Sequence, residues 1–270
     1  MDLKSPIVSV EWLNENLNAK NLIVLDGTIN KTFNTSQKQI KNARFFDIKK
    51  KFSNTDDPFP SAFPSEEQFQ KEARALGINK NSAIVVYDDK GIYSSARVWW
   101  LFKAFGFENV AVLNGGFLAW QKMEFPAEPM KAYSGNIGDF EAHLQPGFMQ
   151  FFEDVKEASK HKTHTIIDAR SAGRFKSLEP EPREGLRMGN IPNSVNLPFT
   201  DLLEDGKLKQ KEALEHAFFK LLNKKDSRVI FSCGSGITAC VLALGADISG
   251  YTNLAVYDGS WTEWGSLVEE

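Results

Sequence analysis

The chain repeats itself once. At an offset of 144 residues, Val85-Val86-Tyr87-Asp88 matches Val229-Ile230-Phe231-Ser232, Asn114-Gly115 matches Asp258-Gly259, and Trp120 matches Trp264. Near the start of each half, Ile23-Val24-Leu25-Asp26 resembles Thr165-Ile166-Ile167-Asp168, at an offset of 142. Recurring landmarks in one order mean that the two halves fold alike. Each half starts with a short apolar run ending in Asp26 or Asp168. An amphipathic helix follows, over Ser65 to Leu76 or Lys211 to Leu222, with Ser65 and Gln68 spaced as a capping box. Next come a β-rich run (Ala83 to Tyr87; Arg228 to Ser232), a loop and a helix (Ser94 to Phe105; Ile237 to Ile248). A third short run (Val110 to Leu113; Leu254 to Tyr257) and a Gly turn close the pattern. Strands alternating with helices predict an α/β fold, two tandem domains each with a parallel sheet flanked by helices. The boundaries expected are 1–124 and 148–270, joined over 125–147 by a linker with three prolines and three glycines.

Composition narrows the function. With 42% hydrophobic residues the chain can bury two real cores. Its formal charge of −3 provides no electrostatic footprint for nucleic acid or an anionic membrane. Two cysteines exclude a disulfide framework. The start, MDLKSPIVSVEWL, has no apolar signal core, and no run approaches the roughly 18 apolar residues of a membrane span. A cytoplasmic location is therefore expected.

In a parallel α/β sheet, ligands bind at the carboxyl ends of the strands. Cys233 stands there, followed by Gly234-Ser235-Gly236-Ile237-Thr238 and a helix expected to begin near Ile237. The glycines let the backbone curl, so that the N–H groups of Gly234, Ser235, Gly236, Ile237 and Thr238 can point inward. The helix start adds further donors and partial positive charge. Both features favour a thiolate and point to Cys233 as a nucleophile. The same offset puts Asp89 in the place of Cys233 in the first half, so that half is expected to be non-catalytic. No Arg or Lys lies between Cys233 and Cys240, which argues against a cysteine phosphatase, whose loop needs an Arg to clamp the phosphoryl group. Cys240 reads as helix core packing, with a redox partner or a regulatory disulfide as the alternative.

These residues resemble the two-domain rhodanese-like sulfurtransferases. Cys233-Gly234-Ser235-Gly236-Ile237-Thr238 is similar to the CGSGVT loop of the 3-mercaptopyruvate branch, and unlike the basic CRKGVT loop of the thiosulfate branch. Tyr257-Asp258-Gly259-Ser260-Trp261-Thr262-Glu263-Trp264 resembles the C-terminal signature, and Gly189-Asn190-Ile191-Pro192-Asn193-Ser194 a GHIPGA motif. Arg97-Val98-Trp99-Trp100 and Asn114-Gly115-Gly116 fit the first domain.

The resemblance implies a ping-pong reaction, in which Cys233 takes sulfur from 3-mercaptopyruvate, releases pyruvate and passes the sulfur to a thiol, thioredoxin or cyanide. It implies no cofactor and no metal. Arg174 and Arg183 would bind the substrate carboxylate or carbonyl, and Ser235 would donate to the sulfur or relay a proton. Asp168 would brace the loop. Two departures stand out. Ser61 replaces a His that many relatives place near the site, and Lys49 replaces an Asp thought to support it. Two other readings stay open: thiosulfate as the main donor, or a weakly catalytic persulfide carrier that works by binding a partner.

Overall fold

The apolar runs become buried strands, too short for helices and rich in β-branched residues that pack well on a pleated sheet. The computed structural model describes residues 1–269, which divide into two units. Unit 1 comprises Met1–Thr55, Phe63–Gln145 and Asp205–Leu208, and unit 2 comprises Asp56–Ala62, Pro146–Glu204 and 209–269.

In unit 1 the sheet order is Ile7–Val8, Val110–Leu113, Ala83–Tyr87, Leu22–Asp26, Arg44–Phe45, and every pair is parallel. Unit 2 has the same order in Met149–Gln150, Leu254–Tyr257, Val229–Ser232, Thr165–Asp168, Ser194–Asn196, again all parallel. The α/β expectation and the tandem repeat therefore hold. Central strands covered by helices on both faces need no polar side, which is why Ala83–Tyr87 and Val229–Ser232 are buried at every position. Unit 1 adds a cluster of Phe46, Phe52, Phe69, Phe102 and Phe140 around its helices. The stretch after Phe125 belongs to this unit: Ala127–Pro129 pairs antiparallel with Lys38–Ile40, and Phe140 is buried.

The helix Glu66–Ala75 begins where expected, with Ser65 Oγ accepting from Gln68 N at 3.1 Å. The reciprocal half of the capping box is not made. The Gln68 amide instead donates to the carbonyls of Lys51 and Ser53, which would otherwise lack these partners. Two further helices, Ser95–Ala104 and Ala239–Ile248, are buried nearly all round, as apolar helices inside a layered fold must be.

The paired strands correct one sequence alignment. Gly27 N donates to Tyr87 O, and Ala169 N donates to Ser232 O, both at 2.8 Å. Phe117 N donates to Asp88 O at 2.9 Å, and Trp261 N donates to Cys233 O at 3.0 Å. Equivalent bonds thus match Tyr87 with Ser232 and Asp88, not Asp89, with Cys233. Strand pairing agrees, because Ile84 faces Val110 while Val229 faces Leu254. The following helices start at Ser95 and Ala239, so the loop in unit 1 is one residue longer. An ungapped offset cannot show that.

Tyr257 ends a central strand of unit 2 and sits buried beside Glu263. Burial, reinforced by the Glu263 charge, pushes its phenol far above the ordinary tyrosine value. A folded-state value raised above the unfolded one gives stability that is complete below about pH 10 and is lost as pH rises beyond it. The expected slope is about 1.4 kcal/mol per pH unit for this group. Denaturant titrations of Tyr257→Phe at pH 9 to 11 should show the alkaline limb flattened by that amount; an unchanged limb would contradict the assignment.

Candidate active site

Cys233 stands at the end of Val229–Ser232, only 1% exposed, in a loop that closes at Thr238. The helix begins at Ala239, two residues later than the sequence suggested, because Ile237 and Thr238 still belong to the loop. Gly236 adopts a φ of +69°, a left-handed turn that suits glycine. Among the described residues the N–H groups of Gly234, Ser235, Ile237 and Thr238 have no hydrogen-bond acceptor. They are unsatisfied donors in the loop that follows Cys233.

Gly236 departs from that expectation. Its N–H donates to Ser260 Oγ at 3.1 Å, as does the N–H of Cys233 at 3.0 Å. Ser260 Oγ itself lies 3.8 Å from Cys233 Sγ and 2.9 Å from Tyr257 O. This residue was missed at the sequence level. It is fully buried, and its φ of +52° matches the +53° of Gly116 at the equivalent turn of unit 1. A left-handed turn costs a side-chain-bearing residue roughly 1–2 kcal/mol. Unit 1 avoids that cost with glycine, whereas unit 2 retains a hydroxyl that ties the loop at two points. Ser260→Ala removes the hydroxyl that accepts from the N–H groups of Cys233 and Gly236, so unit 2 should lose about 1–3 kcal/mol. Chemical denaturation measures this, and a loss below about 0.5 kcal/mol would show that the tie is dispensable.

Of the two arginines singled out by sequence, Arg174 comes against the loop and Arg183 is linked to it through Thr262. Arg174 lies in the short helix Ala172–Phe175, and a Cβ added to Gly234 would sit 3.1 Å from its Nη2. Arg183 Nη1 donates to Thr262 Oγ1, which donates to Gly234 O at 2.5 Å, and Thr262 N also donates to Gly234 O at 3.0 Å. Both cations therefore converge on one residue of the loop without lying in it. Ser235 is half-buried and its hydroxyl has no partner among the described residues.

A buried chain of charges orients Arg174. Arg170 grips Asp168 through Nε at 2.9 Å and Nη2 at 2.7 Å, and it reaches Glu181 through Nη1 at 2.7 Å. Glu181 in turn accepts from Arg174 Nε at 3.2 Å and Nη2 at 2.5 Å. Burial weakens the Arg170 cation, but the hydrogen bonds and charge of Asp168, with Glu181, outweigh it and hold its proton more tightly than usual. The guanidinium also lies 4.6 Å from the Trp261 ring, and Arg187 lies 4.7 Å from it. Asp168 is thus linked through Arg170 and Glu181 to Arg174, and Trp261 of the C-terminal helix lies against the Arg170 and Arg187 guanidiniums. Cys240 is buried, with Sγ 3.3 Å from Gly236 O. Among the described residues no group of three His, Cys, Asp or Glu side chains could hold a metal ion, and no helix is long and apolar enough to cross a membrane.

Comparison with known proteins now places the chain. Residues 9–123 and 152–267 each match the rhodanese-like domain, and the chain belongs to that family. It is 39% identical over 231 residues to 3-mercaptopyruvate sulfurtransferase of Homo sapiens, covering 84% of this chain and 77% of that one. The protein of that name from Escherichia coli (strain K12) is 36% identical, over 97% of this chain and 95% of its own. A crystal structure from Escherichia coli, described as showing the rhodanese fold and catalytic mechanism of 3-mercaptopyruvate sulfotransferases, superposes with a TM-score of 0.83 at 33% identity. It covers 96% of this chain and 99% of its own.

Proposed function

We propose that this protein is a sulfurtransferase that draws sulfur from 3-mercaptopyruvate through a persulfide on Cys233 and releases pyruvate. Residues 148–270 would carry the chemistry and 1–124 would be non-catalytic; the expected linker 125–147 instead packs on the first unit almost throughout, so that the crossing falls near Pro146. The names of the human and Escherichia coli relatives support 3-mercaptopyruvate as the donor. The observation that carries it is a buried cysteine in an uncharged loop, with two arginines converging beside Gly234. That layout separates the two ends of the donor. The transferred sulfur meets N–H donors, and the carboxylate, three carbons away, meets the cations.

The steps balance without a cofactor or a metal. The Cys233 thiolate attacks the donor sulfur, forming an S–S bond as the C–S bond breaks. The electron pair stays on the departing carbon as the enolate of pyruvate. The proton of the attacked thiol ends on that carbon, giving pyruvate and a persulfide anion. Ser235, whose hydroxyl has no partner among the described residues, would be the relay. Gly234, Ser235, Ile237 and Thr238 supply N–H groups that hold the anionic outer sulfur. An acceptor thiol, a thioredoxin-like protein or cyanide then removes that sulfur and restores the thiolate. Free, reduced cysteines and a mildly acidic chain suit a cytoplasmic enzyme with no nucleic-acid or membrane partner.

Thiosulfate fits less well, because its charge lies directly on the sulfur group, where the loop offers no Lys or Arg. Comparing pyruvate release from 3-mercaptopyruvate with sulfite release from thiosulfate tests the choice. The expected kcat/KM favours mercaptopyruvate, and a preference for thiosulfate would overturn it. Arg174→Lys should lower kcat/KM for mercaptopyruvate by about tenfold or more, chiefly through KM, because an ammonium cannot hold Glu181 and a carboxylate in one planar fork. An unchanged KM would remove Arg174 from the donor site.

A further inference from the structure

The match between Asp88 and Cys233 has a chemical meaning. The Asp88 side chain is buried and fully engaged by its own loop. Its Oδ1 accepts from Lys90 N at 2.9 Å. Its Oδ2 accepts from Tyr93 N at 2.8 Å, Ser95 N at 2.8 Å and Ser95 Oγ at 2.6 Å. Ser95 opens the ten-residue helix Ser95–Ala104, so the carboxylate also faces the positive end of a helix. In unit 2 the counterparts of the Tyr93 and Ser95 N–H groups, counted from the helix start, are those of Ile237 and Ala239, which find no acceptor among the described residues. An Asp oxygen and the outer sulfur of a cysteine persulfide are each two bonds from Cβ, and each carries negative charge.

We propose that Asp88 is a permanent stand-in for the sulfur-loaded cysteine: unit 1 contains a second anion cradle, and its own carboxylate fills it. The first domain thus holds in fixed form the charge that the second holds only between half-reactions. The comparison with a persulfide rests on the function proposed above. The cradle itself rests on the hydrogen bonds of Asp88 alone. Without the carboxylate, the cradle is a binding site for a small carboxylate-like monoanion, of a size and charge that three N–H groups and one hydroxyl can hold.

Sodium formate is the probe, used on the full-length Asp88→Ala variant. Melting is followed with and without formate, against sodium chloride at the same ionic strength. The variant should melt several degrees below the wild type, and formate should saturably restore half or more of that loss. The wild type should gain nothing from formate beyond the chloride control. Amide resonances of Lys90, Tyr93 and Ser95 should move on formate addition to the variant. No restoration, or equal stabilisation of the wild type, would overturn the proposal. If Asp88→Ala does not fold, Asp88→Asn decides. This near-isosteric variant should lose stability because its neutral amide replaces the anion, and wild-type stability would show that no anion is required. Pyruvate release by the unmodified protein is measured separately. Its absence would refute the proposed activity and leave the cradle standing, and the reverse also holds.

Discussion

Cys233→Ser should reduce pyruvate release from 3-mercaptopyruvate by at least about 10⁴-fold, with the fold intact. Serine differs by one atom. It preserves the bond from the residue 233 N–H to Ser260 Oγ and the bond from Trp261 N to its carbonyl, so the loop has no reason to move. The chemistry is what disappears. A hydroxyl is far less acidic than a thiol, and an oxygen cannot form the S–S bond that stores sulfur between the half-reactions. Circular dichroism and melting should match the wild type, and sulfur transfer should vanish with both donors. Retained turnover would mean that another group carries the sulfur.

The second large effect concerns stability. Arg170→Met should destabilise unit 2 by about 3–5 kcal/mol. Arg170 is 2% exposed and is the shared partner of Asp168 and Glu181, both also buried. Methionine fills much of the space but leaves Asp168 buried without its cation and Gly189 O without its donor. Domains are stable by only about 5–15 kcal/mol, so this is a large share. Arg170→Lys retains the charge but loses the fork onto Asp168 and the bond to Gly189, and should fall between the variant and the wild type. Because Glu181 also holds Arg174, the methionine variant should bind the donor more weakly as well. A loss under about 1 kcal/mol in denaturant titrations would show that the charge chain contributes little.

Much of this was legible in the sequence. The repeat and the strand boundaries at Ala83–Tyr87 and Leu254–Tyr257 hold because each depends on a short stretch of chain. The position of Cys233 at a strand end follows from local pattern too, and motif pointed to Arg174 and Arg183 beside its loop. The errors arose where one segment must be placed against another. Asp89 was matched to Cys233 because the extra residue in the loop of unit 1 leaves no trace in an ungapped repeat. Gly236 was grouped with the free donors because nothing nearby shows that its N–H is taken. The acceptor, Ser260, lies 24 residues away, and only the packing of the C-terminal helix on the loop brings it there. Ser260 did carry one signal, since Gly116 occupies the equivalent turn, but it needed the correct alignment to be read.

The most direct measurement is a single turnover with 3-mercaptopyruvate and no sulfur acceptor. Released pyruvate is quantified, and the protein is then digested and analysed by mass spectrometry. The expected result is one pyruvate per chain and one added sulfur atom on the peptide containing Cys233, lost again when a thiol is supplied. Pyruvate released without that added sulfur, or sulfur found on Cys240 with Cys233 unmodified, would contradict the account.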